Sequence, residues 1–152
     1  MLVQRTVVAL QLAPARPESS PEIREAFVRA AELAGGPVTL LAVFRLDPRF
    51  PLSPGFDANL EEHGKTLNVL RAHIRAIGVA IEFDGFASAA MRSALVVIRA
   101  LTGDRPPIAA HRSSASAVAW LVESHGVARE HARMLLTAVG EVARDLGSDH
   151  PG

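Results

Sequence analysis

Residues 79–101 constrain the fold of this chain more than any other stretch. From Val79 to Phe83 apolar residues fall at alternate positions, Asp84 and Gly85 interrupt the pattern, and the long apolar run that follows contains no glycine or proline. Alternation, a break and an uninterrupted apolar run predict a strand, a turn and a helix. In an open α/β sheet, ligands and partners usually bind at the turn after the carboxyl end of a strand. This turn is therefore the first candidate for a site.

The first third of the chain predicts a strand, a helix and a second strand. Residues 2–12 are rich in β-branched side chains, which favours a strand. Ser20 and Pro21 suit the start of a helix, and Gly35 suits its end. Residues 37–44 are almost entirely apolar, which is typical of a strand covered on both faces in a parallel sheet.

Residues 45–56 are the least regular segment, with three prolines and two phenylalanines. Long loops inside compact domains are often functional, so Phe50, Leu52 and Phe56 are a candidate apolar loop surface. The alternative is that these three side chains fold back over the edge of the core, as large apolar side chains generally do. The sequence leaves both interpretations open.

The rest of the chain continues the alternation of helices and strands. The apolar spacing predicts a second helix from Asp57 to Ala76, ended by Gly78. A fourth strand at Ile108–His111 is restricted to a sheet edge or a strand start by Pro107. Two more helices follow, one capped by Ser113 and Ser114 and closed by His125 and Gly126, and a last one from Val127 to Leu146.

These elements predict an α/β fold. Strands that alternate with helices favour a mainly parallel sheet with right-handed crossovers, here a four-stranded sheet with helices packed on it and an extra C-terminal helix. At 152 residues we expect a single domain over 1–146, with its core in 2–126 and its C-terminal helix in 127–146. Residues 147–152 are expected to be a disordered tail.

Composition argues against several function classes. The 16 basic and 16 acidic residues balance, so the chain lacks the positive charge typical of nucleic-acid binders. Cysteine is absent, which removes disulfides and thiolate ligands and fits a cytoplasmic location. The amino terminus lacks the pattern of a signal peptide. No apolar run approaches the roughly 20 residues of a membrane span.

The candidate catalytic and metal-binding residues do not form a recognised pattern. Neither His63 and His73 nor His125 and His131 have the three- or four-residue spacing of helical zinc ligands. The chain has no Gly-x-Ser-x-Gly elbow and no glycine-rich phosphate loop. The segment His111–Ser113, at a helix start, is a candidate anion site. We therefore expect no enzyme, no metal and no cofactor.

Two segments carry a resemblance to a known family. The turn and helix start at 85–95 resembles the segment with an Asp-Ser-Ser-Gly-Leu motif, and 108–121 resembles a final strand followed by an Ala-x-x-Trp-Leu helix. With the order of elements, these segments resemble the STAS domain superfamily, the anti-sigma-factor antagonist type. The likeness is greater to its divergent bacterial branch, described as STAS or SEC14-like, and spans about residues 3–123.

The resemblance implies a candidate phosphorylation site. In antagonist STAS domains a partner kinase phosphorylates a serine at this helix start, and the added charge switches binding off. Ser93 takes the place of that serine and Arg92 that of its neighbour, whereas methionine and alanine replace the family's aspartate and glycine. Ser88 is the alternative serine, and Asp84 belongs to the same candidate partner surface. Both serines could instead cap or pack the helix.

Two functions from different classes remain open. The first is a non-catalytic interaction or regulatory module that binds a protein partner at the turn Asp84–Ser93 and at loop 45–56, with self-association through the last helix. The second, implied by the SEC14-like resemblance, is a small carrier of an apolar ligand, bound between that loop and the second and third helices. An apolar cavity of roughly 300 Å³ or more would favour the carrier. An exposed apolar patch would favour the module.

Overall fold

The computed structural model describes residues 2–3, 5–11, 20–45, 68 and 70–148. The loop surface of Phe50, Leu52 and Phe56 and most of the predicted second helix lie outside these residues. The described elements are β1 (Leu2–Val3), β2 (Thr6–Gln11), α1 (Ser20–Ala34), β3 (Val38–Phe44), β4 (Ile74–Ile81), α2 (Phe86–Thr102), β5 (Ile108–His111), α3 (Ser114–His125) and α4 (Ala132–Ser148), with a 3-10 turn at Arg129–His131 before α4.

The strands form one sheet in the order β1-β2-β3-β4-β5. Strands β2 to β5 are parallel, and the two-residue β1 pairs antiparallel with β2 at one edge. The predicted α/β fold with a four-stranded, mainly parallel sheet is therefore confirmed, and β1 is an addition to it. The strand at Ile108–His111 occupies the opposite edge, as Pro107 predicts.

Helices cover both faces of the sheet. Helices α1 and α2 are crossovers between neighbouring parallel strands, and both pack on the same face, because crossovers of one hand between strands in sequential order fall on one side. Helices α3 and α4 cover the other face. The first core includes Val7, Leu40, Ile77, Val79, Met91 and Ile98, and the second includes Val8, Leu41, Ala80, Leu121, Leu135 and Val139.

The predicted second helix is wrong at its C-terminal end. Strand β4 begins at Ile74, so Gly78 lies inside a strand and does not stop a helix. A Cβ built on Gly78 would lie 3.3 Å from Leu121 Cδ1 and 3.4 Å from the carbonyl oxygen of Ala117. Glycine at this position lets α3 approach the sheet closely, which is a packing role that apolar spacing alone does not reveal.

Two further boundaries differ from the prediction. The single strand expected over 2–12 is divided into β1 and β2, because Arg5 has a φ of 67° and turns the chain between them. At the other end, α4 begins after the 3-10 turn and extends to Ser148, beyond the expected end at Leu146. Among the described residues, no helix has the length and apolar character required to cross a membrane.

Candidate functional site

The carboxyl ends of three parallel strands open into a cavity of about 630 Å³. Because parallel strands end at the same edge, residues that follow β3, β4 and β5 meet there. The lining consists of Arg45 after β3, Glu82–Asp84 after β4, Arg112–Ala115 after β5, the strand residue Ile81, and Leu136, Val139 and Gly140 of α4.

Glu82 joins three elements at this edge. The Nε group of Arg45 donates to Glu82 Oε2 at 3.1 Å, and the backbone N–H of Ser114 donates to Oε1 at 3.1 Å. The Ser114 hydroxyl donates to the same oxygen. One carboxylate therefore connects the end of β4 to the end of β3 and to the first turn of α3.

The contacts of Glu82 stabilise its ionised form. Partial burial raises the pKa of this carboxyl group, but the hydrogen bonds from Ser114 and the charge and hydrogen bond of Arg45 together outweigh burial. The net pKa therefore lies below its ordinary value of 4.5. At neutral pH Glu82 is an anion with its two oxygens already hydrogen-bonded.

Two N–H groups in the first turn of α3 have acceptors within the protein. The Ser113 hydroxyl accepts a hydrogen bond from the Ser116 N–H at 3.1 Å, which confirms the predicted cap, and Glu82 accepts the N–H of Ser114. A carboxylate at a helix N-terminus is also favoured by the helix dipole. The carboxylate of Glu82 therefore lies next to the anion site expected at His111–Ser113.

The rings of His111, Trp120 and His125 lie in a row, with Trp120 in contact with both histidines. The His111 and Trp120 ring centroids lie 5.8 Å apart, and those of Trp120 and His125 lie 4.2 Å apart. Burial, with a smaller contribution from the positive charge of Arg92, lowers the pKa of His111, and burial lowers the pKa of His125. His111 Nε2 is buried, and no hydrogen-bond partner exists for it in the described part of the chain.

The turn residues expected to form a partner surface do not all share one environment. Asp84 and Ser93 are exposed and Arg92 is partly buried, whereas Ser88, on the buried side of α2, is only 7% exposed. The hydroxyl of Ser88 is therefore inaccessible in this fold. Ser93 is the serine that meets solvent.

Ser93 lies in the middle of an unusually apolar outward face of α2. Side chains three and four residues apart are neighbours on a helix, so Ser93 has Ala89 on one side and Val97 on the other. Phe86, at the start of the same face, is 90% exposed, and Leu101, near its end, is 57% exposed. The face consists of Phe86, Ala89, Ser93, Val96, Val97, Ala100 and Leu101, all exposed. We call it the outer α2 face.

A second cavity, of about 420 Å³, lies at the amino ends of the strands. Arg5 reaches it from the turn before β2, and Arg75 from the start of β4. His125 and His131 line it from the end of α3 and the 3-10 turn. Pro37, Thr6, Thr39, Gly126, Val127 and Ala128 complete the lining.

The histidines do not form a metal centre in the described part of the chain, where no group of three metal-ligating side chains occurs. His73 lies in a turn and not in the predicted helix, and His63 lies outside the described residues. His131 Nε2 lies 3.7 Å from Glu130 Oε1, its neighbour in the chain.

Sequence reasoning missed Glu82, Ser114 and Arg45 as a group. The sequence contains the information needed to group them, because each of these three residues follows the end of a strand and the carboxyl ends of parallel strands meet at one edge of the sheet. The apolar alternation instead predicts Glu82 within a strand, and the irregular composition of residues 45–56 predicts Arg45 at the start of a loop. The second cavity, at the amino ends of the strands, is called the amino-edge cavity below. It is harder to predict from the sequence, since the pattern of residues 2–12 does not indicate a turn at Arg5.

Comparisons with protein-family models, curated proteins and solved structures find no match to this chain. The resemblance to STAS domains therefore stays a prediction.

Proposed function

We propose that the protein is a non-catalytic interaction module that binds a protein partner on the outer α2 face. The observation that carries this proposal is the exposure of Ser93 at the centre of an otherwise apolar helix surface. An apolar helix face normally packs against another surface, since its exposure to water is unfavourable. A partner with its own apolar surface would remove Phe86, Val97 and Leu101 from water.

The position of Ser93 suits a switch. A phosphate there would place a charge of about −1.5 to −2 between Ala89 and Val97, on the surface that the partner covers. An unpaired charge in an apolar interface opposes binding, because it loses its hydration without gaining a counter-ion. Phosphorylation of Ser93 would therefore release the partner, as the resemblance to antagonist STAS domains implies.

The cavity at the carboxyl ends of β3, β4 and β5, called the carboxyl-edge cavity below, supports a non-catalytic function. A general acid or base is most effective when its pKa is near the working pH, whereas the pKa of Glu82 is held below 4.5. The hydroxyl of Ser114 donates to Glu82, and among the described residues it makes no hydrogen bond to a histidine. These groups are arranged to hold elements together, and the partner surface lies elsewhere on the molecule.

A pull-down with the wild-type protein as immobilised bait tests the proposal. Ser93→Asp and Phe86→Ser are expected to weaken capture of the partner roughly 10- to 100-fold, since each removes apolar contact or inserts a polar group at the interface. Ser124→Asp is the matched control, because it adds the same charge at an exposed serine on α3. Thermal unfolding of all three variants should remain close to wild type.

Retention of the same captured proteins by Ser93→Asp and Phe86→Ser would contradict this function. Equal loss with Ser124→Asp would show that added negative charge, and not its position, weakens capture. Self-association through α4 stays a separate prediction, checked by the mass of the wild-type protein in light scattering.

A further inference from the structure

We propose that the amino-edge cavity is a binding site for a small phosphate-bearing anion. The site is independent of the outer α2 face. Its volume of about 420 Å³ lies within the range of pockets that hold small ligands. Two arginines, Arg5 and Arg75, would supply the guanidinium groups that bind phosphate oxygens, often in pairs.

The two arginines converge from separate parts of the sheet. Arg5 precedes β2 and Arg75 lies at the start of β4, with the start of β3 between them. The backbone of Arg5 is held there by the N–H of Thr39, which donates to the Arg5 carbonyl at 2.8 Å, and Arg75 is the second residue of β4. Two cationic side chains on neighbouring parts of a parallel sheet thus face one cavity, where an anion with several oxygens could contact both.

The described walls of the cavity carry positive charge without a matching carboxylate. None of the described lining residues is acidic, and within the described part of the chain neither Arg5 nor Arg75 takes part in an ion pair. Among the described residues, the carboxylate of Glu130 contacts the lining residue His131 at 3.7 Å, and the Glu130 side chain is 81% exposed. Such an exposed carboxylate is free to turn away when an anion enters.

The backbone at Arg5 is a further sign that this side chain has a role at the cavity. Its φ of 67° lies in the left-handed region, which is unfavourable for any residue with a Cβ and which glycine adopts readily. Strained positions of this kind concentrate at ligand sites. Arginine at this turn places a guanidinium group at the cavity at the expense of backbone strain.

The C-terminal end of α3 reaches the same cavity but does not use these arginines as caps. The N–H groups of Gly126 and Val127 donate to the Leu121 carbonyl. His125 is the basic residue in the last turn of α3. Among the described residues, no hydrogen bond joins the side chain of Arg5 or Arg75 to a carbonyl group of α3.

Calorimetric titration of the full chain with inorganic phosphate and, separately, with glycerol 3-phosphate tests the proposal. Binding is expected in a buffer whose ionic strength is held constant with chloride, accompanied by shifts of the Thr6, Thr39, Val127 and Ala128 amide signals in NMR spectra. Arg5→Gly and Arg75→Gln should each weaken binding about tenfold or more, because each removes a charge-assisted hydrogen bond. Arg112→Gln, an exposed arginine at the carboxyl-edge cavity, is the matched control and should bind like wild type.

The two probes separate the sources of the phosphate group. Tighter binding of glycerol 3-phosphate would assign the site to a phosphate monoester, and equal binding would assign it to free phosphate. Absence of binding for both probes, or an equal loss in Arg112→Gln and Arg75→Gln, would overturn the proposal. So would amide shifts at the carboxyl-edge cavity in place of the amino-edge cavity.

Discussion

The two edges of the sheet differ in how their charges are matched. At the carboxyl edge, Arg45 contacts Glu82, and the same carboxylate accepts hydrogen bonds from Ser114. At the amino edge, Arg5 and Arg75 line a cavity whose described walls contain no carboxylate. Glu82 and Arg45 at the first edge join elements of the protein to one another, whereas Arg5 and Arg75 at the second edge form no ion pair among the described residues.

The direction of α3 explains part of this difference. Its N-terminal turn lies at the carboxyl edge, where free N–H groups and the positive end of the dipole favour a carboxylate. Its C-terminal end lies at the amino edge, where Gly126 has a φ of 71° and closes the helix through backbone hydrogen bonds. A side-chain carboxylate thus accepts hydrogen bonds at one end of α3, whereas at the other end backbone N–H groups donate to the Leu121 carbonyl.

Removal of Glu82 should have the largest effect on stability. Glu82→Ala deprives Arg45 of its ion-pair partner and leaves the partly buried N–H and hydroxyl groups of Ser114 without their acceptor. We expect the free energy of unfolding to fall by about 2 kcal/mol, since an unsatisfied buried polar group costs about 1–3 kcal/mol. Urea unfolding at pH 7 measures this loss.

Asp84→Ala is the control for that measurement. Asp84 lines the same cavity but is exposed, so its removal should change stability by no more than about 0.5 kcal/mol. Equal losses in the two variants would mean that Glu82 does not hold the carboxyl edge together, and the contrast between the two edges would disappear.

Acidification should remove the same contribution without a mutation. Because the pKa of Glu82 is lowered in the folded state, its stabilisation is fully present above the ordinary value of 4.5 and is lost as pH falls through the lower, folded-state pKa. The stability difference between wild type and Glu82→Ala is therefore expected to be smaller at pH 3 than at pH 7. A difference that stays constant over this range would show that the charge of Glu82 contributes nothing.

Much of the fold could be predicted because its signals are local. The alternation before Asp84, the helix that follows and the glycine at position 126 each specify an element from a few neighbouring residues. The error at β4 arose because Ile74 and Ile77 fit the period of a helix as well as a buried strand. Only the contact of Gly78 with Leu121, 43 positions away in the chain, shows which arrangement is correct.

The candidate sites were less predictable because they depend on which residues meet at a sheet edge. Asp84 and Ser93 were placed on the right turn and helix, but the burial of Ser88 follows from the rotation of α2 on the sheet. Glu82 could have been linked to Ser114 by comparing strand ends. Arg5 could not have been assigned to the amino-edge cavity, since nothing in residues 2–12 marks the left-handed turn.

The smallest predicted change in stability concerns Arg5, at the amino edge of the sheet. Arg5→Gly should raise the free energy of unfolding by about 1 kcal/mol. Glycine relieves a left-handed conformation that costs other residues about 1–2 kcal/mol, and the greater entropy of glycine in the unfolded chain offsets part of that gain. Arg5→Ala is the matched variant, since it removes the same guanidinium group but keeps the strain, and should stay close to wild type. Thermal unfolding of the three proteins measures the difference. Destabilisation in both variants would show that the Arg5 side chain supports the fold, as Glu82 does at the other edge. A gain in stability in Arg5→Gly alone would show that arginine at this position is kept at the expense of stability.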